Sequence, residues 1–446
     1  MTYLETRRHE LRKRRLMMVD GNLTVNTETA DTGASVRVNQ EGYWGFAASS
    51  DTASDEIARL TDQAKRNAAA MARFGPKDVL PLAGGTYRGQ HEFRGKAPIG
   101  RKELVERMAA LTAWCKQRYP DLKSTRIVLA DEHHAKRLAT STGADALNTI
   151  QRAQVHVIFT ADGKDGAPVD IIEYGSAKGS LADLELSVEA WAPQLEQTYR
   201  HLRAKCEAVP ARGGLHTVVL DAPLAGMLAH EAMGHPCEAD LVLGGAVTGD
   251  LVGQRVASEL VTMIDFAHTY NGEELMVPVY CDDEGTPARD AVLIQDGILT
   301  AFMSSRETAA KLGIEATGNA RAYAPSDEPL VRMRNTVILP GRTSLEDMLA
   351  GVDDGYFLMK TGNGQADSTT EFMFGVTLAY EIRKGKLGRA IKDTTVSGSA
   401  IKVLQATDAV SDGMHHSCSG YCGKKQPMIV SMGGPALRAR AHLGGE

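Results

Sequence analysis

No stretch of this sequence stays apolar for the ~18 residues that a membrane-spanning helix needs, so no transmembrane helix is expected. Aromatic side chains are scarce, at 5% of residues, and none interleave with a basic run. Excess positive charge is also missing, because the formal net charge is −6. These absences argue against a basic, base-stacking nucleic-acid surface. Cysteine is sparse as well: six residues, scattered at Cys115, Cys206, Cys237, Cys281, Cys418 and Cys422. Such spacing is not a disulfide framework. It points to a reducing compartment, with one or two cysteines available as metal ligands. The basic stretch from Arg7 to Arg15 has no apolar segment behind it, and Glu5 and Glu10 lie in or beside it. It is read as a solvated strand or helix face, neither a secretory signal nor a transit peptide. A cytoplasmic location is expected.

What the chain does have is glycine, 44 residues in 446, and enough length for two domains. Leu16–Val19 and Leu23–Val25 flank Asp20-Gly21-Asn22, a hairpin pattern. A second hairpin joins Val36 and Val38 to Tyr43–Phe46 through Glu41-Gly42, making a small antiparallel sheet. Ile57, Leu60, Ala64, Ala68 and Met71 keep helical spacing, with Asp51 or Thr52 as cap and Gly75-Pro76 as stop. Leu104, Met108, Leu111 and Cys115 mark a second helix ending before Pro120, with the thiol on its buried face. Strands follow around Ile127–Leu129, Val155–Phe159 and Ile171-Ile172, then a helix from Ser187 to Cys206.

Ala208–Gly214 has the composition of a linker. The expected division is therefore 1–208, an N-terminal α/β domain with an antiparallel sheet, and 213–446, a β-rich C-terminal domain. The fold class is α+β. The second part opens with the strand His216–Leu220, then Asp221 as cap and Pro223 in the first turn of a helix apolar nearly all round. Short strands are expected at Val277–Tyr280 and in a hairpin across Gln295-Asp296-Gly297.

That helix runs into His230-Glu231-Ala232-Met233-Gly234-His235. Two imidazoles beside a carboxylate are the means by which zinc peptidases hold a metal and supply a general base. The spacing is unusual, since His235 follows His230 by five residues. Each α-helical residue turns ~100°, so i and i+5 diverge by about 140° and cannot meet at one ion. A π-bulge would absorb the extra residue, or the helix could end there. Gly234 and Pro236 support both. A buried metal-free pair would need other partners, because unpaired polar groups cost several kcal/mol.

A catalytic zinc keeps three protein ligands and one open position. Cys237 is near in sequence but lies past the helix end. The tail offers His415, His416, Cys418 and Cys422, with Cys422 between two glycines in Gly420–Gly423. Cys418 and Cys422 could also form a separate structural site. Local pattern does not choose among them.

Together these motifs resemble the TldD/PmbA family of zinc metallopeptidases. The resemblance rests on His230–His235 with Glu238-Ala239-Asp240, on Val256–Thr262, Asp282–Pro287 and Thr317–Arg321, and on Arg332–Thr336 with Leu339-Pro340-Gly341. Gly362–Asp367, Phe372–Gly375 and Gly420–Lys424 complete it, and Trp44–Ala47 matches more loosely. It covers most of 213–435. It implies one Zn2+ per chain, held by His230, His235 and Cys422, with Glu231 as general base. It further implies an active site enclosed by two subunits, a homodimer or a heterodimer with a related subunit lacking the metal motif. The intact motif is that of the catalytic, TldD-like subunit, acting on short or unfolded peptides in maturation or turnover. Family members commonly open with a helix before the first strand, whereas a strand is expected here almost from Met1. The competing expectation is a non-catalytic, metal-stabilised peptide-binding subunit, and a third is hydrolysis of a small amide.

Overall fold

The computed structural model describes residues 2–75, 77–418 and 420–445. Its first hairpin joins β1 (Tyr3–Val19) to β2 (Asn22–Gln40). Asp20 and Gly21 hold the turn at φ 52° and 88°, the paired positive values of a tight hairpin. The strands run far beyond the apolar residues that announced them, and Tyr3 already faces Asn39 in the ladder. Glu41 and Gly42, at φ 53° and 85°, repeat the turn into β3 (Tyr43–Ser49). A Cβ on Gly45 would lie 2.0 Å from the Ala64 carbonyl oxygen, so only glycine lets α1 (Ser54–Met71) lie directly on the strand. The α1 N-cap is Ala53, not Asp51 or Thr52; the Asp51 carboxylate instead accepts from the Ala53 N–H at 2.8 Å, one turn-residue early. Pro76 lies outside the described residues.

Beyond a short strand that the sequence pattern did not announce, β4 (Arg88–His91), comes α2 (Arg101–Arg118). Then follow β5 (Ser124–Thr140), β6 (Asp145–Asp162), β7 (Pro168–Lys178) and α3 (Val188–Cys206), capped by Ser187. The sheet order is β3-β2-β1-β5-β6, with β7 antiparallel and β4 parallel on the far edge of β6. Leu104, Met108, Leu111 and Cys115 of α2 and Leu195 and Leu202 of α3 pack on Val155, Val157 and Phe159, one apolar core. The basic stretch is a solvated face only in part: Arg8, Arg12 and Arg15 are exposed, whereas Arg7 and His9 are not. In β1 every second side chain from Tyr3 to Leu11 is covered, and Arg7 and His9 are 3% and 2% exposed. The strand's period of two brings Arg7 against residues 325–327, with its guanidinium donating to the Asp327 carbonyl.

The C-terminal sheets begin with β8 (Gly214–Leu220), which leads into α4 (Ala222–Met227). β8 pairs in parallel with Asp354–Ala366 and antiparallel with Leu437–Leu443. From Leu437–Leu443 the pairings continue through Thr394–Ser399 and Glu371–Arg383 back to Asp354–Ala366, closing a ring. A second sheet runs through Met263–Phe266, Asn335–Ile338 and Ser431–Gly434. Val277–Tyr280 is irregular, contrary to expectation. Pro278 lacks an N–H for a ladder, and the Asn335 side chain satisfies both the N–H and the carbonyl of Val277, at 3.1 and 2.8 Å. Gly226 of α4 sits so close to Ser431–Gly434 that a Cβ would meet the Gly433 Cα at 2.9 Å. That contact fixes the helix bearing the histidines against the sheet. Among the described residues, no helix is long and apolar enough to cross a membrane.

Candidate metal centre

Asp221 caps α4 by accepting from the Ala222 N–H at 2.8 Å, and Pro223 fills the first turn. After Met227 the helix widens: Leu228–Gly234 form a π turn, and the His235 N–H donates to the His230 carbonyl. The extra residue is thus absorbed, and His230 and His235 fall on one face with ring centroids 5.3 Å apart at 80°. The helix then tightens into a 3₁₀ turn, His235–Cys237, over Pro236. Gly234 is needed here, because a Cβ would sit 2.4 Å from the Met333 sulfur and 3.0 Å from the Ala229 carbonyl.

The third donor arrives from the tail. Cys422 lies on the strand Tyr421–Lys424, paired with Gln426–Ile429. One donor atom from each of His230, His235 and Cys422 falls within 4.8 Å of the others. Cys422 Sγ is 3.2 Å from His235 Nε2. His230 is fully buried, and neither of its ring nitrogens has a hydrogen-bond partner among the described residues. An orphaned buried imidazole costs several kcal/mol unless a ligand satisfies it. Two imidazoles and a thiolate, all convergent, form a donor set that suits a divalent transition metal. Burial opposes charge at all three residues. Even so, the Cys422 thiol is brought down to about 5 by the two histidines. Both imidazoles are raised, His230 chiefly by Cys422 and His235 chiefly by Glu238.

Around this set, His235 and Cys422 are held from behind. His235 Nδ1 is 2.7 Å from Glu238 Oε2, which leaves Nε2 to face the cluster. Glu238 is 0% exposed and is matched by Lys424 Nζ at 3.1 Å, which also reaches Asp240 at 2.9 Å. Glu238 therefore stays ionised, its carboxyl below the usual range: burial alone would raise it, but His235 and Lys424 outweigh that. Arg332 donates to the Cys422 carbonyl at 2.7 Å. Glu231 stands 3.6 Å from His235 Nε2 and 4.0 Å from His230 Nε2, and its side chain keeps 23% exposure. Among the described residues it has no lysine or arginine in ion-pair range. A carboxylate so placed faces both imidazoles and stays partly open to solvent.

The other candidates fall elsewhere. Cys237 is buried, with burial and Glu238 pushing its thiol up to about 12. Cys418 lies 3.6 Å from Arg152 Nη1, and His415 and His416 pair along Ser431–Gly434. The sequence reading assigned no role to Glu238, Lys424 or Arg332. The available signal was Glu238 itself, a charge three residues past His235 in a buried segment. Beside the strand that carries Cys422, a cleft of about 270 Å³ is lined by Lys13, Arg15, Thr27, Thr29 and Tyr421.

Residues 213–443 match the PmbA/TldA metallopeptidase C-terminal domain, and residues 4–68 match domain 1 of the same metallopeptidases. A metalloprotease TldD homolog from Haemophilus influenzae is 36% identical over 95% of this chain and 88% of its own length. The chain belongs to the TldD/PmbA family of metallopeptidases. A metalloprotease of Methanocaldococcus jannaschii is 31% identical, over 96% of this chain and 94% of its own. A zinc metalloprotease TldD homolog from Saccharolobus solfataricus is 26% identical, over 92% and 89%. The solved structure of TldE from Thermococcus kodakarensis has the same fold, with a TM-score of 0.75 over 99% of this chain and 97% of that one at 19% identity.

Proposed function

We propose that this chain is a zinc-dependent peptidase that hydrolyses short or unfolded peptides. The observation that carries the reading is the orphaned His230, converged with His235 and Cys422 beside the partly exposed carboxylate of Glu231. Among the similar proteins, one is named a zinc metalloprotease. His230, His235 and Cys422 are the residues that would hold one zinc ion. Zinc, when bound, supplies Lewis acidity that polarises a peptide carbonyl and acidifies water. Glu231 takes the proton from the attacking water and returns it to the leaving amine. Glu238, anchored by Lys424, keeps His235 in the tautomer that points Nε2 inward.

A substrate reaches this site extended. β3 pairs with β2 only along Ala34–Gln40, so β2 before residue 34 has a free edge beside the cleft lined by Thr27 and Thr29. Replacing residues around the scissile bond by proline should abolish cleavage; insensitivity counts against strand addition. The partner in this reading is a second copy or a related subunit without the metal motif, which the likeness to TldE supports.

The test measures zinc content and cleavage of unstructured peptides for the wild type, Glu231→Ala and Cys422→Ala. Glu231→Ala should keep zinc and lose cleavage, and Cys422→Ala should lose both. Zinc without turnover in every preparation, with and without a TldE-like partner, would leave the peptide-binding role instead.

A further inference from the structure

Arg152 stands in β6, directly across the ladder from Glu132 in β5. Its side chain is fully buried, yet it is spent on another part of the chain. Nη1 donates to the carbonyl of Cys418 at 3.0 Å and to that of Gly420 at 2.6 Å. The guanidinium also lies over Tyr421, its carbon 4.3 Å from the ring centroid. The Tyr421 hydroxyl donates to Glu132 Oε2, and Glu132 Oε1 is 2.8 Å from His134 Nε2. The next residue is Cys422. From the C-terminal half the buried Arg332 donates to the carbonyls of Cys422 and Gln426, at 2.7 and 2.8 Å. The carbonyls of Cys418, Gly420, Cys422 and Gln426 are therefore gripped by two buried guanidiniums, one from the N-terminal sheet and one from the C-terminal half.

The grip has a physical purpose. Gly420 and Gly423 flank the cysteine, and a Cβ at either would meet nothing within 4 Å. Such a segment is loose by composition. Charge-assisted bonds to its carbonyls remove that freedom before a ligand arrives; Arg332 spans two of them with its planar fork, and Arg152 meets two with Nη1 while its guanidinium plane lies over Tyr421, which an ammonium has no plane to copy. We propose that Arg152 is a positioning residue for Cys422, by which the N-terminal sheet presents the thiolate to His230 and His235. This rests on Cys422 being a metal ligand. Metal affinity then depends on the contact between β5–β6 and the tail.

The test is Co2+ titration of the metal-free full chain, following the thiolate-to-cobalt charge-transfer band, with melting curves alongside. Arg152→Gln should bind Co2+ roughly 10- to 100-fold more weakly, as for other residues that orient metal ligands, and show a weaker band at saturation. Arg152→Lys should fall between it and the wild type. Val157→Ala, a core change in the same strand, should lower the melting temperature and leave the band unchanged. A folded Arg152→Gln chain with wild-type affinity and band overturns the proposal. If that variant does not melt cooperatively, Glu132→Gln and Tyr421→Phe decide: weaker binding in both supports the grip, and wild-type affinity in both overturns it. A wild type without the band, or a band that survives Cys422→Ala, refutes the ligand assignment itself.

Discussion

His230 and His235 lie with ring centroids 5.3 Å apart, and His9 and His134 lie 5.2 Å apart. Each pair has a carboxylate close by, Glu231 in one case and Glu132 in the other. In the second pair the rings stack at 29°, His9 Nε2 meets His134 Nδ1 at 3.0 Å, and His134 Nε2 goes on to Glu132. Three of its four ring nitrogens are engaged along two neighbouring strands, and only His9 Nδ1 is without a partner among the described residues. Burial pushes both His9 and His134 down, so they sit as neutral imidazoles. In the first pair the rings stand at 80°, the nitrogens of His230 have no partner, and a thiol joins them. Two nearby histidines and an acid are therefore not enough. What separates a ligand set from a hydrogen-bonded strut is whether open nitrogens converge with a further donor: His230 meets His235 and Cys422, whereas the facing nitrogens of His9 and His134 are spent on each other.

The sharpest way to break this comparison is to delete one histidine from each pair. His230→Ala should abolish metal binding and reduce cleavage to background, whereas His134→Gln should retain bound metal, with both read by metal analysis of the purified chain. Next comes Glu231→Gln, which should keep the metal and lose roughly 10²- to 10⁴-fold in turnover, the usual worth of a general base. A metal-free Glu231→Gln would make that residue a ligand. Glu238→Gln should weaken metal binding by about 10- to 100-fold in a chelator competition, since it orients His235. Gly234→Ala should lower stability by roughly 1–3 kcal/mol, because its Cβ has to push the Met333 sulfur aside; the denaturant midpoint reads it. The smallest effect concerns pH. His134 has its pKa lowered from 6.5 in the folded chain, so the unfolded chain binds more protons below that value. Stability therefore falls as pH drops through 6.5, and His134→Gln should flatten that slope, as measured by melting at successive pH values.

Much of this was legible in the sequence because it is local. The glycine turns gave both N-terminal hairpins, and the impossibility of i and i+5 chelation from a regular helix left a π turn or a helix end, of which the chain adopts the π turn at Leu228–Gly234. Asp221 as cap followed from its position before Pro223. The rest depended on distant partners. Arg7 and His9 read as a wet face because nothing in their neighbourhood shows that Arg7 meets residues 325–327 and His9 meets His134. β4 is four residues without apolar alternation, recruited only by the edge of β6. Val277–Tyr280 looked like a strand until the Asn335 amide took its hydrogen bonds. Choosing Cys422 over Cys237, Cys418 or the tail histidines required family resemblance, because the distance between the helix and the tail is not written in either segment.

The most direct test of the central claim is zinc K-edge X-ray absorption on the purified, zinc-loaded chain. The account predicts one sulfur scatterer at ~2.3 Å and two imidazole nitrogens at ~2.0–2.1 Å, with the sulfur lost in Cys422→Ala. A wild-type spectrum without sulfur in the first shell would contradict it.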